Sequence, residues 1–403
     1  MAAPMENNVV SSGSTISEDK SVNAIIVATV TTGFERLACD ECSEKLGVEA
    51  TPRRGRIRFE LPLSQLQKVH SLCGVDNLFV VVQEFENHQF IEEEEADLQS
   101  LSDLVTTIDW STGIKYWQSY SKYAKSVPLT PEEISESDHA TLPAFRVSCH
   151  RTGNKHSFQS PQAASRFGGS INDYFHWRVD LSNSDIDVLL NITDNDILVG
   201  IALTRESMHR RNIKHFGSTT LRATLAYMML RLGEIQLGDV VCDPMCGCGA
   251  IPIEGVLNWP GSLHLCGDGN EYPCSHSLKN ITAINETRKE QNRLPVSVDI
   301  VQWDVCQLPL KTNSIDVFVS DLPFGKRSGT RRRNWDLYHR GLVEMARVCK
   351  PETGRAVLLT HDKKCMMKTL SLCHNLWRSK RTIWINQGGL RAGVYLLHRA
   401  KAS

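Results

Sequence analysis

The 403-residue chain contains no run of about 18 apolar residues, so no transmembrane helix is expected. Its first residues lack the basic and apolar regions of a secretory signal and the arginines of a transit peptide; they carry Glu6, Glu18 and Asp19 instead. Neither sign of charge prevails. The net charge of −1 argues against indiscriminate attraction to nucleic acid but leaves room for a local basic face. Paired metal ligands are scarce too. Cys39-Asp40-Glu41-Cys42 has zinc-ligand spacing, yet no second pair follows at a suitable distance, so it reads as two thiols on an amphipathic helix and no metal is expected. Cysteine itself is plentiful: thirteen, an odd number, scattered from Cys39 to Cys373. Without a secretory signal they read as reduced thiols in an intracellular protein.

The length implies two or three domains. Residues 1–20 are polar and read as a disordered tail. Between 21 and 120, strand patterns at Asn23–Val30, Arg56–Leu61 and Leu78–Glu84 alternate with helix patterns at Phe34–Leu46 and Leu63–Ser71. That order suggests a ferredoxin-like α+β unit. Seven acids from Glu84 to Asp97 read as a solvated helix start. Residues 121–143, with prolines, serines and acids, read as a linker. From 144 to 214 a strand at Ala144–His150, a helix at Ser160–Phe175 and a hairpin around Thr193-Asp194-Asn195-Asp196 form a second α+β unit. At Ser218 or Thr219 a helix is expected to be capped; it runs through Leu225 and Met229 to Gly233. Strand and helix patterns then alternate to the end of residues 215–403, with strands at Val240–Asp243, Leu263–Asp268, Val296–Trp303, Val317–Asp321, Val357–Thr360 and Gly393–Leu397. This periodicity predicts a doubly wound, mostly parallel sheet.

Chemistry concentrates at the ends of those strands. Asp243-Pro244-Met245-Cys246-Gly247-Cys248-Gly249 joins the first strand to a helix, and its glycines permit a tight turn and close approach to a ligand. It is not Gly-x-Gly-x-x-Gly and carries no following lysine, which excludes a Walker loop and disfavours a dinucleotide loop. Asp243 can accept from an ammonium such as that of methionine. Asp268 lies 25 residues on, near the ~20-residue offset of a ribose-binding acid. Asp304 ends the third strand, placed to accept from an adenine amine. Cys246 sits where a helix N-terminus would activate a thiol, but a small residue packed in a cofactor loop is the favoured reading.

Ser320-Asp321-Leu322-Pro323-Phe324-Gly325 ends the fourth strand. The lone pair of an exocyclic base amine is delocalised, and two acceptors aimed at its hydrogens make it available. The Asp321 carboxylate and the main-chain carbonyl of Leu322 or Pro323 can be those acceptors, while Pro323 stiffens the loop and Phe324 offers a stacking face. Arg205, Arg210, Arg211 and Lys214 precede the cofactor loop, and Lys326, Arg327 and Arg331–Arg333 follow the catalytic one. Flanking one site, the two clusters suggest contacts to RNA phosphates.

Residues 145–214, beginning Phe-Arg-Val-Ser-Cys-His-Arg, resemble a THUMP RNA-binding domain. Together with the Asp-Pro-Met-Cys-Gly-x-Gly and Asp-Leu-Pro-Phe-Gly motifs, they are similar to the THUMP-containing guanosine N2-methyltransferases. The resemblance implies an α/β chain: a C-terminal Rossmann-like class I methyltransferase domain preceded by a ferredoxin-like α+β domain and a THUMP domain. It implies methyl transfer from S-adenosylmethionine to N2 of an acceptor-stem guanosine, typically at tRNA position 6, with the 3′ CCA end held as a ruler. Asp243, Pro244, Cys246, Gly247, Gly249, Asp268, Asp304 and Val305 fall on cofactor positions, and Asp321, Leu322, Pro323 and Phe324 on the catalytic loop. A small zinc-binding activator subunit is the implied partner. It would cover the expected edge strand at Val296–Val301. The expected place of action is the cytoplasm, with room for a nuclear pool. Two departures stand out: Cys248 replaces the usual Thr, and residues 118–143 are short for the insertion found in relatives. Methylation of adenine N6 or a protein glutamine, and a non-catalytic binding module, are the competing readings. The catalytic half is expected to bind cofactor without residues 1–214.

Overall fold

The computed structural model describes residues 23–121, 123, 127–133, 142–154, 156–217, 219–324 and 331–401, with backbone alone for 331–333. The polar tail, most of the linker's second half, Lys326 and Arg327 lie outside them.

The first half contains β1 (Asn23–Thr29), α1 (Glu35–Leu46), β2 (Ala50–Arg53), β3 (Arg56–Pro62), β4 (Asn77–Phe85), α2 (Glu94–Leu104), α3 (Ser111–Ser121), β5 (Ala144–Thr152), α4 (Ser160–Phe175), β6 (Arg178–Val179), β7 (Ile186–Thr193) and β8 (Asp196–Ala202). The sequence divides these elements into two units; the chain joins them in one eight-stranded sheet of order β2-β3-β1-β4-β8-β7-β5-β6. The junction is the antiparallel pairing of β4 with β8, Val80 opposite Ile201. Both strands are buried apolar runs, so each can be an interior strand. Gly200 lets them approach closely, since a Cβ there would meet the Val80 carbonyl at 2.9 Å. Within the acidic run, Glu93 caps α2 as a solvated helix start should. Asp97 departs from that reading: it is buried and accepts from the Ile91 N–H at 2.8 Å.

The second half contains α5 (Ala223–Leu232), β9 (Val240–Asp243), α6 (Ala250–Asn258), β10 (Leu263–Asp268), α7 (Glu271–Glu290), β11 (Asp299–Gln302), β12 (Val317–Asp321), α8 (Arg331–Val348), β13 (Arg355–Thr360), α9 (Lys363–Leu372), β14 (Trp377–Gln387) and β15 (Leu390–Arg399). The sheet order is β11-β10-β9-β12-β13-β15-β14. The first five strands are parallel, and β15 and β14 enter antiparallel. Strand order reverses between β9 and β12, which opens a crevice at their carboxyl ends. Three expectations need correction. The helix before β9 begins at Ala223, and Arg222 at its N-cap makes no side-chain cap bond; Thr219 lies ahead of it and Ser218 is outside the described residues. β11 is shorter than its sequence pattern, though it does lie at the sheet edge. β14 had no strand signal because Arg378, Lys380 and Arg381 interrupt its alternation, and such charges suit an edge strand.

The halves share one hydrophobic core, in which Leu225, Tyr227 and Met228 of α5 cluster with residues of β1, α1 and β4. Polar contacts fix the seam. Asp76 accepts from the Thr224 hydroxyl at 2.6 Å. The buried Glu41 carboxylate accepts from the Cys73 and Gly74 N–H groups and from Lys45, whose ammonium lies 4.8 Å from the Tyr227 ring centroid. Arg231 is bidentate to Glu44, and Arg211 to Glu254, at 2.7 and 3.2 Å in the second pair. Arg211, assigned from sequence to RNA phosphates, is therefore committed to a carboxylate only 1% exposed. Removing residues 1–214 would uncover Tyr227 and Met228, so the shared core removes the basis for expecting a free-standing catalytic half. Arg211→Ala should leave Glu254 buried without a counter-charge, held only by the Asn212 and Asn258 amides, and cost about 3–5 kcal/mol, read as a lowered urea midpoint. Exposed Arg205→Ala should stay within about 0.5 kcal/mol of the parent; equal midpoints for both variants would remove the seam role of Arg211.

Candidate active site at the strand ends

The loop after β9 is shaped by backbone conformation and by buried partners. Gly247 and Gly249 both have positive φ, 54° and 87°, which side chains tolerate poorly. A Cβ on Gly249 would also meet Ser277 Oγ at 3.0 Å. The Ser277 hydroxyl donates to the Gly247 carbonyl at 2.9 Å. Buried Asn280 donates to the Cys248 carbonyl at 3.0 Å and accepts from the Lys214 and His215 N–H groups, tying this loop to the segment that leaves the first half. Trp303 Nε1 donates to the Pro244 carbonyl at 3.1 Å. Pro244 and Gly249 thus shape the loop from behind. The cavity of about 730 Å³ in front is lined by Asp243, Cys246, Gly247, Cys248, Asp268, Asp304, Val305 and Asp321 to Phe324, among others. Hydrogen bonding with Cys266 and burial push the Cys246 thiol well above its ordinary range, which suits packing rather than nucleophilic attack.

The acids differ in how they are held. Asp243 accepts from the Ser320 hydroxyl at 2.7 Å and the Met245 N–H at 3.2 Å. Burial raises its pKa to about 7 against those hydrogen bonds, with a smaller push from Asp268. Asp268 accepts from Gly247 N–H at 3.3 Å and Asn270 N–H at 3.1 Å, keeping capacity toward the cavity. Asp304 is exposed and accepts from Cys306 N–H at 2.8 Å. Three carboxylates therefore converge on one cavity from three strand ends. A ligand whose ammonium, ribose hydroxyls and adenine amine donate matches those three acceptors in the order of their strands.

Asp321 is the candidate for the chemical centre. Its Oδ1 is buried with no hydrogen-bond partner. Burial, then the charge of Asp243, holds its carboxyl well above the usual carboxylate range. An unpartnered buried acceptor is costly in a folded protein, and such groups mark places where a ligand completes the bonding. The Pro323 carbonyl accepts from Asn334 Nδ2 and the Tyr338 hydroxyl, both at 2.8 Å, and Thr360 backs Tyr338 at 2.7 Å. Of the two carbonyls proposed as a second acceptor, that of Pro323 is thus already engaged twice. Asp321 and Phe324 also line a second cavity of about 770 Å³, closed opposite by Gln387, Gly388, Leu390 and Arg391 at the β14–β15 turn. Phe324 meets His361 edge-on at 4.3 Å, and exposed Phe216 lies on the same wall with Arg210 5.9 Å from its ring centroid.

The basic cluster is therefore divided. Arg210 sits beside the second cavity through Phe216, Lys214 is exposed, Arg211 is half-buried in the seam, and Arg205 lines a different cavity with Arg146 and Asp187. Sequence reading gave Ser320 no role of its own and missed Asn334, Tyr338, Thr360, Ser277 and Asn280; Ser320 and Thr360 carry the signal of a polar residue at the end of an apolar strand run. It also missed Phe216 and Gln387, which carry no such signal.

Two family models match the chain: a THUMP domain over residues 123–202 and an RMKL-like methyltransferase domain over residues 210–393. The chain is 43% identical to the tRNA (guanine(6)-N(2))-methyltransferase THUMP3 of Bos taurus, over 96% of this chain and 90% of that one. It is 42% identical to the Homo sapiens protein of that name, over 93% and 88%. Among solved structures, TrmN from Thermus thermophilus superposes with a TM-score of 0.69 at 21% identity, covering 93% of this chain and 99% of that one, and shows the same fold. With an intact cofactor cavity, the catalytic loop and both domains in place, this chain belongs to the THUMP-domain tRNA guanine-N2 methyltransferase family.

Proposed function

We propose that the protein methylates the exocyclic N2 amine of guanosine 6 in tRNA, using S-adenosylmethionine, to give N2-methylguanosine. The observation that carries this reading is the buried, unpartnered Oδ1 of Asp321 on the wall common to the cofactor cavity and the second cavity. S-adenosylmethionine supplies an electrophilic methyl group when bound. Asp243, Asp268 and Asp304 would hold its ammonium, ribose and adenine. Asp321 Oδ1 and the Leu322 carbonyl would accept the two N2 hydrogens, drawing the nitrogen lone pair out of conjugation. The proton released as the N–C bond forms has a base in Asp321, whose proton affinity is raised by burial and by Asp243. Phe324 and Phe216 would flank the extruded base.

The first half would grip the tRNA 3′ end, and the packed seam would fix its distance to Asp321. Exposed Arg205, Arg210 and Lys214 are the candidate phosphate contacts, joined by Lys326 and Arg327 beyond the catalytic loop. A small zinc-binding activator would seat on the β11 edge. There Leu278 and Val301 are 59% and 39% exposed, beside a groove that Leu265, Val298 and Ile300 also line. An edge strand of this kind offers main-chain groups and apolar side chains to an added strand.

Asp321→Ala should lower the rate about 10²–10³-fold, measured by nucleoside mass spectrometry of methylated tRNA. Its affinity for S-adenosylmethionine should hold in calorimetry; unchanged turnover would end the assignment. Asp243 must shed its proton to meet an ammonium, so cofactor affinity should fall roughly tenfold per pH unit below about 7. The sign follows from the raised folded-state pKa: ionised Asp243 destabilises the free protein as pH rises through about 7. Thermal stabilisation by cofactor should therefore grow over the same interval, and a flat pH profile would exclude Asp243 as the ammonium partner. Val301→Glu should abolish co-purification with the activator while leaving cofactor binding intact; retained heterodimer would move the docking site elsewhere.

A further inference from the structure

The second cavity contains polar groups beyond Asp321, and most of them are already engaged. Arg222 lies 3.6 Å from Asp76. His361 Nδ1 is 3.0 Å from the Arg391 carbonyl, and Asp362 caps α9 by accepting from Cys365 N–H at 3.1 Å. The Arg391 guanidinium packs 4.9 Å from the Trp384 ring centroid. The exception is Gln387, the last residue of β14, whose side-chain Oε1 is buried without a hydrogen-bond partner. Its backbone pairs with Leu390 across the turn, so the strand ladder fixes where the side chain starts. Asp321 and Gln387 thus both line the cavity, and each carries a side-chain oxygen buried without a hydrogen-bond partner.

Guanine presents two adjacent donor groups on one edge, the N2 amine and N1–H, followed by the O6 acceptor. Adenine presents an amine next to a bare N1 acceptor. We infer that Gln387 is a specificity-determining residue that selects guanine, its Oε1 accepting N1–H and its amide N–H donating to O6 while Asp321 holds N2. An adenine placed with its amine at Asp321 would set the N1 lone pair against Gln387 Oε1, two acceptors facing each other without water. A site built around a substrate N–H rejects the analogue lacking it because the protein acceptor is left unpaired. The inference rests on Asp321 receiving the guanine N2 amine.

The test uses full-length protein and tRNA in which the target guanosine is replaced by 2-aminopurine riboside, which keeps the 2-amine but has neither N1–H nor O6. Wild-type protein should prefer guanosine on the order of 10²-fold or more in kcat/KM. Gln387→Leu should slow guanosine methylation and spare 2-aminopurine, bringing the ratio within about tenfold. Gln387→Glu, which keeps the N1–H acceptor, should retain the preference for guanosine, and cofactor affinity of each variant reports on folding. A wild-type protein indifferent to the analogue would overturn the inference without needing any variant, as would a Gln387→Leu ratio equal to the wild-type ratio. If wild-type protein gave no N2-methylguanosine at all, the underlying assignment of Asp321 would fail instead.

Discussion

Two carboxylates in one poorly solvated space set the terms for the rest of this structure. Asp243 and Asp321 end adjacent parallel strands, β9 and β12, at the point where strand order reverses. Burial raises the proton affinity of both, and the charge of Asp243 raises that of Asp321 further. Such a pair persists only if its surroundings leave it no easy way to relax. Ser320 and the Met245 N–H occupy Asp243, whereas Oδ1 of Asp321 is left bare. The loop beyond is held by Asn334, Tyr338 and Thr360 through the Pro323 carbonyl. The free energy stored in an unsatisfied acceptor becomes useful when a substrate amine completes it, which is electrostatic preorganisation in its plainest form.

The same logic extends outward to the seam. The hydrophobic core shared by α5 with the first sheet holds the two halves at a fixed distance from each other. The polar contacts across it place buried carboxylates against fixed donors, with Glu254 facing Arg211 and Asp76 facing Thr224. Neither sheet is therefore an independent body. The first sheet and the loop that follows β12 are joined by packed atoms rather than by a tether. Asn280 is the most economical expression of this, since one buried amide bonds both the connecting segment and the cofactor loop.

Much of the site was legible in sequence because parallel α/β sheets put their chemistry at strand carboxyl ends, and strand ends are visible as an apolar run followed by an acid. Asp243, Asp268, Asp304 and Asp321 were located that way, and the glycines at 247 and 249 by the need for positive φ. The assignment of Arg211 to RNA failed because charge in a sequence says nothing of its partner, and Glu254 lies 43 residues away on another element. The hidden strand β14 failed for a related reason: at a sheet edge, charge is compatible with strand structure, so alternation disappears. With β14 went Gln387 and the whole second cavity.

The sequence by itself determined the doubly wound catalytic sheet, the order of acids along the cofactor cavity, and the presence of a loop suited to an exocyclic amine. These follow from local periodicity and from residue chemistry at fixed offsets. Only the tertiary structure decided that the first half is one continuous sheet, that Arg211 is a structural cation, and that the Pro323 carbonyl is engaged by Asn334 and Tyr338. It also decided that Gln387 faces Asp321 across a common cavity. Each of these depends on which distant side chain reaches a given atom, and hydrogen-bond satisfaction is a property of the assembled interior that no local pattern encodes.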